Sequence, residues 1–299
     1  MTGKRSHQKA SLPELNREEI LRYSRHLLLP RVGINGQKKL KNSGVLLVGA
    51  GGLGSPAALY LAAAGIGEIG IIDNDRVDES NLQRQIIHST EDVGRPKTAS
   101  AKEAVLRLNP HVDVTVFDTA LSSANALGIF SRFDVIVDGT DNFAARYLIN
   151  DACALLGKPD VYGAVYQFEG QATVFDAARG PCLRCLMPEP PAPGAVPSCG
   201  EGGVLGVVPC ITGGIQTTEV IQLVLDGQSP LIGKFLAFDA WTMHFHTFTI
   251  EKKKDCPLCG ERPTVTALAD YEWFCGLSRA REAEKEVEDI SPTELKNLF

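Results

Sequence analysis

Apolar and polar residues alternate along the first half of the chain in blocks that predict strands and helices in turn. Apolar runs at residues 45–48 and 69–72 predict two buried strands, and an apolar segment of small residues at 57–65 predicts a helix between them. The pattern continues as a helix at 97–108, a strand at 112–116, a polar helix near 122–131, a strand at 134–138 and a helix at 143–156. Strands that alternate with helices are typical of parallel sheets, so we expect an α/β fold with a Rossmann-like, doubly wound and mainly parallel sheet.

The pattern changes after residue 160. Two short runs, at 161–166 and 171–175, are spaced like the strands of a hairpin. After a helix from about residue 213 to 225, two more strands are predicted at 234–238 and 243–250. We expect these strands to extend the same sheet in antiparallel fashion.

The N-terminal region predicts helices ahead of the first strand. Asn16 can cap a helix that has Glu19 at its third position, and we expect Arg25 and His26 to project from that helix. A second helix is predicted at residues 33–42. The predicted domain organisation is a flexible tail at residues 1–15, one domain at 16–267 and a further segment at 268–299.

The first strand passes directly into a glycine-rich turn that is typical of phosphate binding. The turn contains Gly49, Gly51, Gly52 and Gly54, and a helix follows it. Glycines let the backbone approach a phosphate closely, and the helix N-terminus supplies N–H groups. Asp73 ends the second strand, where its carboxylate can accept hydrogen bonds from a ribose. The same layout also fits an NAD-type Rossmann fold.

Cationic and amide side chains after Asp73 favour a triphosphate over a dinucleotide. The loop residues are Ser80, Asn81, Leu82, Gln83, Arg84 and Gln85, and Lys97 precedes the next helix. A triphosphate that reacts needs cations near its leaving phosphates, which Arg84 and Lys97 could supply; the alternative is solvated surface charge. Asp141 and Asn142 follow the strand at 134–138, at the sheet edge where ligands bind, although either residue could also cap the next helix.

Composition limits the remaining classes of function. The 299 residues carry a net charge of −6, which argues against nucleic acid as the main partner. The sequence contains no uninterrupted apolar run of the roughly 18–20 residues that a membrane span needs, and its N-terminus does not resemble a secretory signal. Eight cysteines, several in Cys-x-x-Cys pairs, predict metal or thiol chemistry in a reducing compartment, so we expect a cytoplasmic protein.

The paired cysteines predict a four-sulfur zinc site. Its ligands would be Cys182, Cys185, Cys256 and Cys259. Such a closed site would be structural, and a redox dithiol is the alternative. Cys199 lies in a loop of small residues before an apolar helix, so it is a candidate nucleophile or a passive thiol. Cys153 and Cys210 lie in apolar sequence and are predicted to be buried.

Together these motifs resemble the MoeB/ThiF/HesA family, the bacterial relatives of ubiquitin-activating enzymes, and are most similar to its MoeB-type members. The resemblance covers about residues 16–265 and rests on the paired cysteines and on the motifs at 49–54, 80–85, 94–97 and 139–142. It implies ATP- and Mg²⁺-dependent adenylation of the C-terminal glycine of a ubiquitin-like sulfur carrier that ends in Gly-Gly. The adenylate would then become a thiocarboxylate for molybdopterin, thiamin, cysteine or tRNA-thiolation pathways.

The resemblance also implies roles for individual residues. The implied nucleotide contacts are Gly52 and Asp73 for the adenosine, Asn81, Arg84 and Lys97 for the phosphates, and Asp141 with Asn142 for the Mg²⁺. Arg25 matches an arginine that family dimers lend to the neighbouring subunit's active site, which implies a homodimer. Because a carboxylate is already the nucleophile, this chemistry needs positioning and charge stabilisation rather than a general base.

The resemblance extends to sulfur transfer. Cys199 matches a loop cysteine that forms a covalent link to the carrier in some family members. Residues 268–276 resemble the linker of members fused to a rhodanese-like domain, so 268–299 would be a linker and the start of a truncated domain; a frayed helical tail is the alternative. A rhodanese or a cysteine desulfurase would donate the sulfur.

Three other functions stay open at this stage. An NAD-dependent oxidoreductase would not need the set of Arg84, Lys97 and Asp141, and the sequence has no evident acid for hydride transfer. A non-enzymatic zinc scaffold would not bind a nucleotide with Mg²⁺. An enzyme of the same fold could instead adenylate a tRNA or a small molecule.

Overall fold

The structure is a computed structural model that describes residues 12–192, 195 and 202–276. Its strands are β1 (Gly44–Val48), β2 (Glu68–Asp73), β3 (Asp113–Asp118), β4 (Val135–Asp138), β5 (Asp160–Tyr166), β6 (Glu169–Phe175), β7 (Lys234–Asp239) and β8 (His244–Thr249). Its α-helices are α1 (Arg17–Arg22), α2 (Ser24–Leu27), α3 (Gly33–Asn42), α4 (Gly54–Ala64), α5 (Lys97–Leu108), α6 (Ala126–Phe130), α7 (Phe143–Leu156), α8 (Leu183–Leu186), α9 (Val207–Asp226) and α10 (Tyr271–Phe274). Short 3₁₀ turns lie at Glu79–Asn81 and Thr90–Asp92.

All eight of these strands lie in one sheet. Their order is β3-β2-β1-β4-β5-β6-β7-β8. Pairing is parallel from β3 to β5 and antiparallel from β5 to β8. The fold class predicted from the sequence is therefore confirmed: a doubly wound, mainly parallel sheet is extended by antiparallel strands.

Helices cover both faces of the parallel part, because its strands are apolar on both sides. Alternate residues of β1, such as Leu47 and Leu46, belong to two separate buried clusters. The first cluster includes α4, α5 and α9, and the second includes α6 and α7. A strand buried on both faces reads as a continuous apolar run, which is why the pattern at 45–48 predicted it correctly.

Close packing between α4 and α9 fixes the start of α4. A Cβ atom added to Gly213 would lie 2.6 Å from Cγ of Pro56 and 2.8 Å from the carbonyl oxygen of Leu53. Helix α9 is the one described helix that is long and apolar enough to span a membrane, but half of its apolar window is buried. Inside the fold, its Gln216 side chain donates to the carbonyl oxygens of Asp138 and Val161 at 2.7 and 2.9 Å.

Four helices differ from the prediction. Helix α4 begins at Gly54 instead of residue 57, α6 covers only Ala126–Phe130 of the predicted 122–131, and the boundaries of α1 and α9 also differ. The first helix stops at Arg22 because Tyr23 leaves the helical region (φ −95°, ψ 12°) and its buried hydroxyl accepts a hydrogen bond from Asn109 at 2.8 Å. Arg25 therefore lies on the separate helix α2. Helix α9 begins at Val207 instead of near residue 213. Pro209 is tolerated in its first turn, because a backbone N–H at that position would have no acceptor within the helix.

Capping residues were predicted more accurately. The side chain of Asn16 accepts from the backbone N–H of Glu19 at 2.9 Å, and the Glu19 carboxylate accepts from the N–H of Asn16 at 2.8 Å. Of the two candidates before α7, Asn142 is the cap, because it accepts from the N–H of Ala145 at 2.9 Å.

Candidate active site

The glycine turn links β1 to α4 and is enclosed by backbone on two sides. Gly49 has a positive φ of 97°, and a Cβ atom there would lie 2.9 Å from the carbonyl oxygen of Gly139. A Cβ atom on Gly54 would lie 2.0 Å from the carbonyl oxygen of Gly49. Larger residues are therefore excluded at both ends of the turn, and its backbone faces the cavity described below.

Asp73 organises the turn. Its carboxylate accepts from the backbone N–H of Ala50 and from that of Asp75, both at 2.8 Å. Each carboxylate oxygen has a second lone pair, so these bonds leave acceptor sites for ribose hydroxyls. The residue that the sequence predicted as a ribose ligand thus also holds the backbone of the glycine turn.

His88 holds the carbonyl side of the same residue, Ala50. Its Nε2 lies 3.0 Å from the carbonyl oxygen of Ala50, and its Nδ1 lies 2.8 Å from Oγ of Ser100 at the start of α5. Burial lowers the pKa of His88, which keeps the imidazole neutral near pH 7. Sequence reasoning did not identify His88, because its partners are 38 and 12 residues away.

Two predicted cations lie at the cavity. Lys97 begins α5, and its nearly buried Nζ forms a 2.8 Å ion pair with the exposed carboxylate of Asp75. Arg84 donates to the carbonyl oxygen of Ser80 at 3.2 Å. Next to it, Oε1 of Gln85 is buried and accepts no hydrogen bond from the described residues. Because the Asp75 carboxylate is exposed, a bound polyphosphate could displace it as the ion-pair partner of Lys97.

The loop after β4 carries Asp141 and rests on a buried carboxyl group. Asp138 is fully buried, and its Oδ1 accepts from the backbone N–H and the hydroxyl of Thr140 at 2.8 and 2.6 Å. Arg146 donates to the carbonyl oxygen of Thr140 at 3.3 Å. Burial raises the pKa of Asp138, although Arg146 opposes the rise. Asp141 itself is exposed on this loop.

These groups surround one cavity of about 830 Å³. The predicted residues that line it are Gly49, Gly51, Gly52, Asp73, Arg84, Gln85, Lys97, Asp141 and Asn142. The predicted residues outside its lining are Gly54, which packs under the turn, and Ser80, Asn81, Leu82 and Gln83, which form the loop that presents Arg84. The cavity volume suits a nucleotide.

The two remaining predicted catalytic residues are Arg25 and Cys199. Arg25 is exposed on α2 and does not line the cavity of its own chain. Cys199 lies outside the described residues. Of the cysteines predicted to be buried, Cys153 is buried, whereas the prediction for Cys210 is wrong, because Val208 and Pro209 make the buried side of that turn.

The four paired cysteines lie together, apart from the cavity. Their sulfur atoms are all within 4.8 Å of one another, and Sγ–Sγ distances are 3.6 Å for Cys182–Cys256 and 3.4 Å for Cys185–Cys259. A tetrahedral zinc ion with Zn–S bonds of about 2.3 Å needs sulfurs about 3.8 Å apart, so the four donors fit zinc. Burial, with the Cys185 thiol beside it, raises the pKa of Cys259 to about 12, and a bound cation would offset this effect.

Comparisons with known proteins agree with this geometry. The chain is 50% identical over 289 residues to the probable adenylyltransferase/sulfurtransferase MoeZ of Mycobacterium tuberculosis, covering 95% of this chain and 72% of that protein. It is 49% identical over 266 residues to the sulfur carrier protein adenylyltransferase of Thermus thermophilus, covering 87% of this chain and 98% of that one.

Solved structures share the fold. The crystal structure of E. coli MccB with ATP has a TM-score of 0.70 at 24% identity, covering 82% of this chain and 75% of that one. The ThiF family model matches residues 23–258, a range that contains the glycine turn, Arg84, Lys97, Asp141 and three of the four clustered cysteines; Cys259 lies one residue beyond it. Since this match spans most of the sequence and includes the glycine turn, Arg84, Lys97 and Asp141, the chain belongs to the ThiF family.

Proposed function

We propose that this protein transfers AMP from ATP to the C-terminal carboxylate of a ubiquitin-like sulfur carrier protein that ends in Gly-Gly. The observation that carries the proposal is one cavity in which the glycine turn, Arg84, Lys97 and Asp141 converge. The carrier as substrate is supported by the Thermus thermophilus relative, whose name describes it as a sulfur carrier protein adenylyltransferase.

The reaction is a displacement at phosphorus. A carboxylate oxygen of the carrier bonds to the α-phosphorus of ATP, and the bond from that phosphorus to the β-phosphate oxygen breaks to release pyrophosphate. The step transfers no proton to the protein, so the residues act by position and charge. Arg84 and Lys97 would neutralise the leaving pyrophosphate, and the glycine turn would bind phosphate oxygens through its N–H groups.

Asp141 would hold the Mg²⁺. It is an exposed carboxylate on the loop after β4 and lines the cavity. Mg²⁺ is usually bound by one or two carboxylates together with substrate phosphates, so this residue fits the ion. The ion would supply positive charge to the phosphates. Asp73 would accept hydrogen bonds from the ribose, and Asn142 would keep the Asp141 loop in place through its cap of α7.

The cysteine cluster would hold a structural Zn²⁺. All four positions of a tetrahedral ion would be filled by sulfur, which leaves none for a substrate. The thiols are free cysteines in the structure, which also supports a reducing, cytoplasmic setting.

The active protein would be a homodimer. Exposed apolar side chains surround Arg25 on the N-terminal helices and loops: Ile20, Leu21, Leu28, Leu29 and Ile34. Burying them against a second copy would bring Arg25 to the partner's cavity.

A mixture of Arg25→Ala and Arg84→Ala chains tests this idea, because a mixed dimer has one complete site. Random pairing predicts recovery of about a quarter of wild-type activity, whereas no recovery would exclude a shared site.

Sulfur transfer would involve other parts of the chain or other proteins. Residues 16–267 would form the body of the adenylating unit, and 268–299 would be a linker and the start of a rhodanese-like domain. The first residues of this linker pack against the adenylating unit, because Tyr271 lies in its buried core. The name of MoeZ, an adenylyltransferase/sulfurtransferase, supports this arrangement. The Cys199 thiolate would attack the carbonyl carbon of the carrier's acyl-adenylate, which forms a thioester and releases AMP. A rhodanese or a cysteine desulfurase would supply the sulfur.

Magnesium-dependent ATP–pyrophosphate exchange tests the proposed reaction. Wild type should catalyse exchange with one carrier from a panel, and removal of that carrier's terminal glycine should abolish it. Arg84→Ala should be inactive, while Arg107→Ala, which removes an exposed arginine on α5 outside the cavity, should be active. ATP binding without exchange for any carrier would refute the carrier as substrate and favour a tRNA or small molecule.

A further inference from the structure

The chain returns to the nucleotide cavity after the second cysteine pair. Residues 269–272 line the cavity, although they are about 120 residues beyond the last sheet-edge loop that forms it. They face the loop at 119–124, which follows β3 and also lines the cavity. The hydroxyl of Ser123 donates to the carbonyl oxygen of Ala269, so the two segments are in direct contact.

The sheet order identifies which end of a nucleotide these segments would meet. The phosphate-binding groups follow β1 and β4, and Asp73 ends β2. Strand β3 is the next strand beyond β2, on the side away from β1 and β4. A nucleotide with its phosphates at the glycine turn and its ribose at Asp73 therefore has its base near the end of β3, where 119–124 and 269–272 meet.

A buried contact anchors this second segment. Tyr271 is almost fully buried, and its hydroxyl donates to Oδ2 of Asp151 on α7 at 2.7 Å. Asp151 is fully buried and forms a two-pronged ion pair with Arg184, with Nε–Oδ1 of 2.9 Å and Nη2–Oδ2 of 2.7 Å. Burial and the nearby Asp151 raise the pKa of Tyr271, so its hydroxyl keeps the proton that it donates.

Aromatic rings complete the anchor and connect it to the cysteine cluster. The guanidinium carbon of Arg184 lies 4.7 Å from the ring centre of Phe274 and 5.1 Å from that of Tyr147. Arg184 itself lies between Cys182 and Cys185 in the chain. One set of contacts therefore runs from the cysteine cluster through Asp151 to the segment that lines the cavity.

We propose that residues 269–272 form the base-side wall of the nucleotide cavity and that the Tyr271–Asp151–Arg184 contact positions this wall. The proposal rests on the proposed nucleotide function and adds to it the part of the protein that contacts the base. The wall contacts the base, whereas the glycine turn, Arg84 and Lys97 bind the phosphates.

Matched tryptophan substitutions test the wall. Ala269→Trp places a large ring at the base end, whereas Ala267→Trp makes the same change two residues away, at an exposed position outside the cavity. The affinity of zinc-loaded, full-length protein is measured by calorimetry for ATP and for inorganic tripolyphosphate, which lacks a base. We expect Ala269→Trp to weaken ATP binding at least tenfold and to leave tripolyphosphate binding within twofold of wild type. Ala267→Trp should change neither.

Three other results would contradict the proposed role of this wall. They are unchanged ATP affinity in Ala269→Trp, an equal loss of tripolyphosphate affinity, or an equal loss of ATP affinity in Ala267→Trp. The test is separate from that of the proposed function, because it measures binding without a carrier. If wild-type protein binds ATP but catalyses exchange with no carrier, the carrier is refuted as the substrate, and the proposed role of the wall is unaffected.

Tyr271→Phe tests the anchor. It removes the hydroxyl and keeps the buried ring, so the fold and the zinc content should not change. We expect ATP affinity to fall about threefold to tenfold, with unchanged affinity for tripolyphosphate, because only the wall loses its position. Unchanged ATP affinity, or a parallel loss for tripolyphosphate, would overturn the positioning role of this contact.

Discussion

His88 provides a sharp test of how the glycine turn is held. The carbonyl oxygen of Ala50 can only accept, so Nε2 of His88 must carry the proton and Nδ1 must accept from the Ser100 hydroxyl. The substitution His88→Gln keeps a donor near Ala50 but removes the titratable ring. Comparison of the two proteins therefore isolates the protonation of this one histidine.

The size and sign of the effect follow from the pKa. Burial lowers the pKa of His88 below its ordinary value of 6.5, and Lys97 also lowers it, while the hydrogen bond to Ala50 raises it. Below pH 6.5 the unfolded chain gains a proton that the folded chain does not, so stability must fall as the pH falls. Linkage limits this loss to about 1.4 kcal/mol per pH unit. We expect wild type to lose more stability than His88→Gln between pH 6.5 and 5.5, by at most about 1 kcal/mol.

Urea unfolding at a series of pH values measures this difference. Other titrating groups contribute equally to both proteins, so the difference in the free energy of unfolding reports on His88. As a coarser control, His88→Leu leaves the Ala50 carbonyl without its side-chain partner, which should cost about 1–3 kcal/mol at any pH. The reasoning fails if wild type and His88→Gln have the same pH dependence, or if wild type is relatively stabilised by acid.

Further predictions concern the turn, the cations and the metal. Gly54→Ala should destabilise the protein by several kcal/mol in thermal unfolding, because its Cβ would lie 2.0 Å from the Gly49 carbonyl oxygen. Gly128→Ala on α6 is the control: its Cβ would meet no atom within 4 Å, so it should be neutral or stabilising. Equal effects of the two substitutions would refute the steric argument. Arg84→Ala and Lys97→Ala should each lower pyrophosphate exchange at least 100-fold while zinc content stays unchanged, and a parallel loss of zinc would indicate misfolding instead. Chelation should release one zinc per chain and lower the melting temperature; unchanged melting would refute a structural metal, since such sites contribute on the order of 10 kcal/mol.

Local features of the site could be predicted from the sequence. The glycine turn, Asp73 and the cap at Asn142 depend on neighbouring residues, so short patterns identify them. The two cysteine pairs are 74 residues apart, but each pair carries its own spacing signal. By contrast, the ion pair of Lys97 with Asp75 joins side chains 22 residues apart, and no pattern in the sequence indicated it.

Buried polar groups under the site could not be predicted in this way. Gln216 and Asp138 are 78 residues apart, and each looks like an ordinary polar residue in an apolar segment. Arg146 could have been taken for surface charge on α7, but it lies under the loop that carries Asp141. The identity of such groups depends on which strands and helices become neighbours, which the local pattern does not specify.

These buried groups also determine the charge beneath the cavity. Asp160 on β5 is buried, and neither of its carboxyl oxygens has a hydrogen-bond partner among the described residues. Burial, with Asp138 nearby, raises the pKa of Asp160 well above its ordinary value, because burial disfavours the charged form of this carboxyl group. Arg146 is always charged and lies close enough to oppose the shift in both acids. Burial therefore opposes negative charge in this layer and Arg146 adds positive charge to it, and both effects suit the triphosphate that we propose for the cavity.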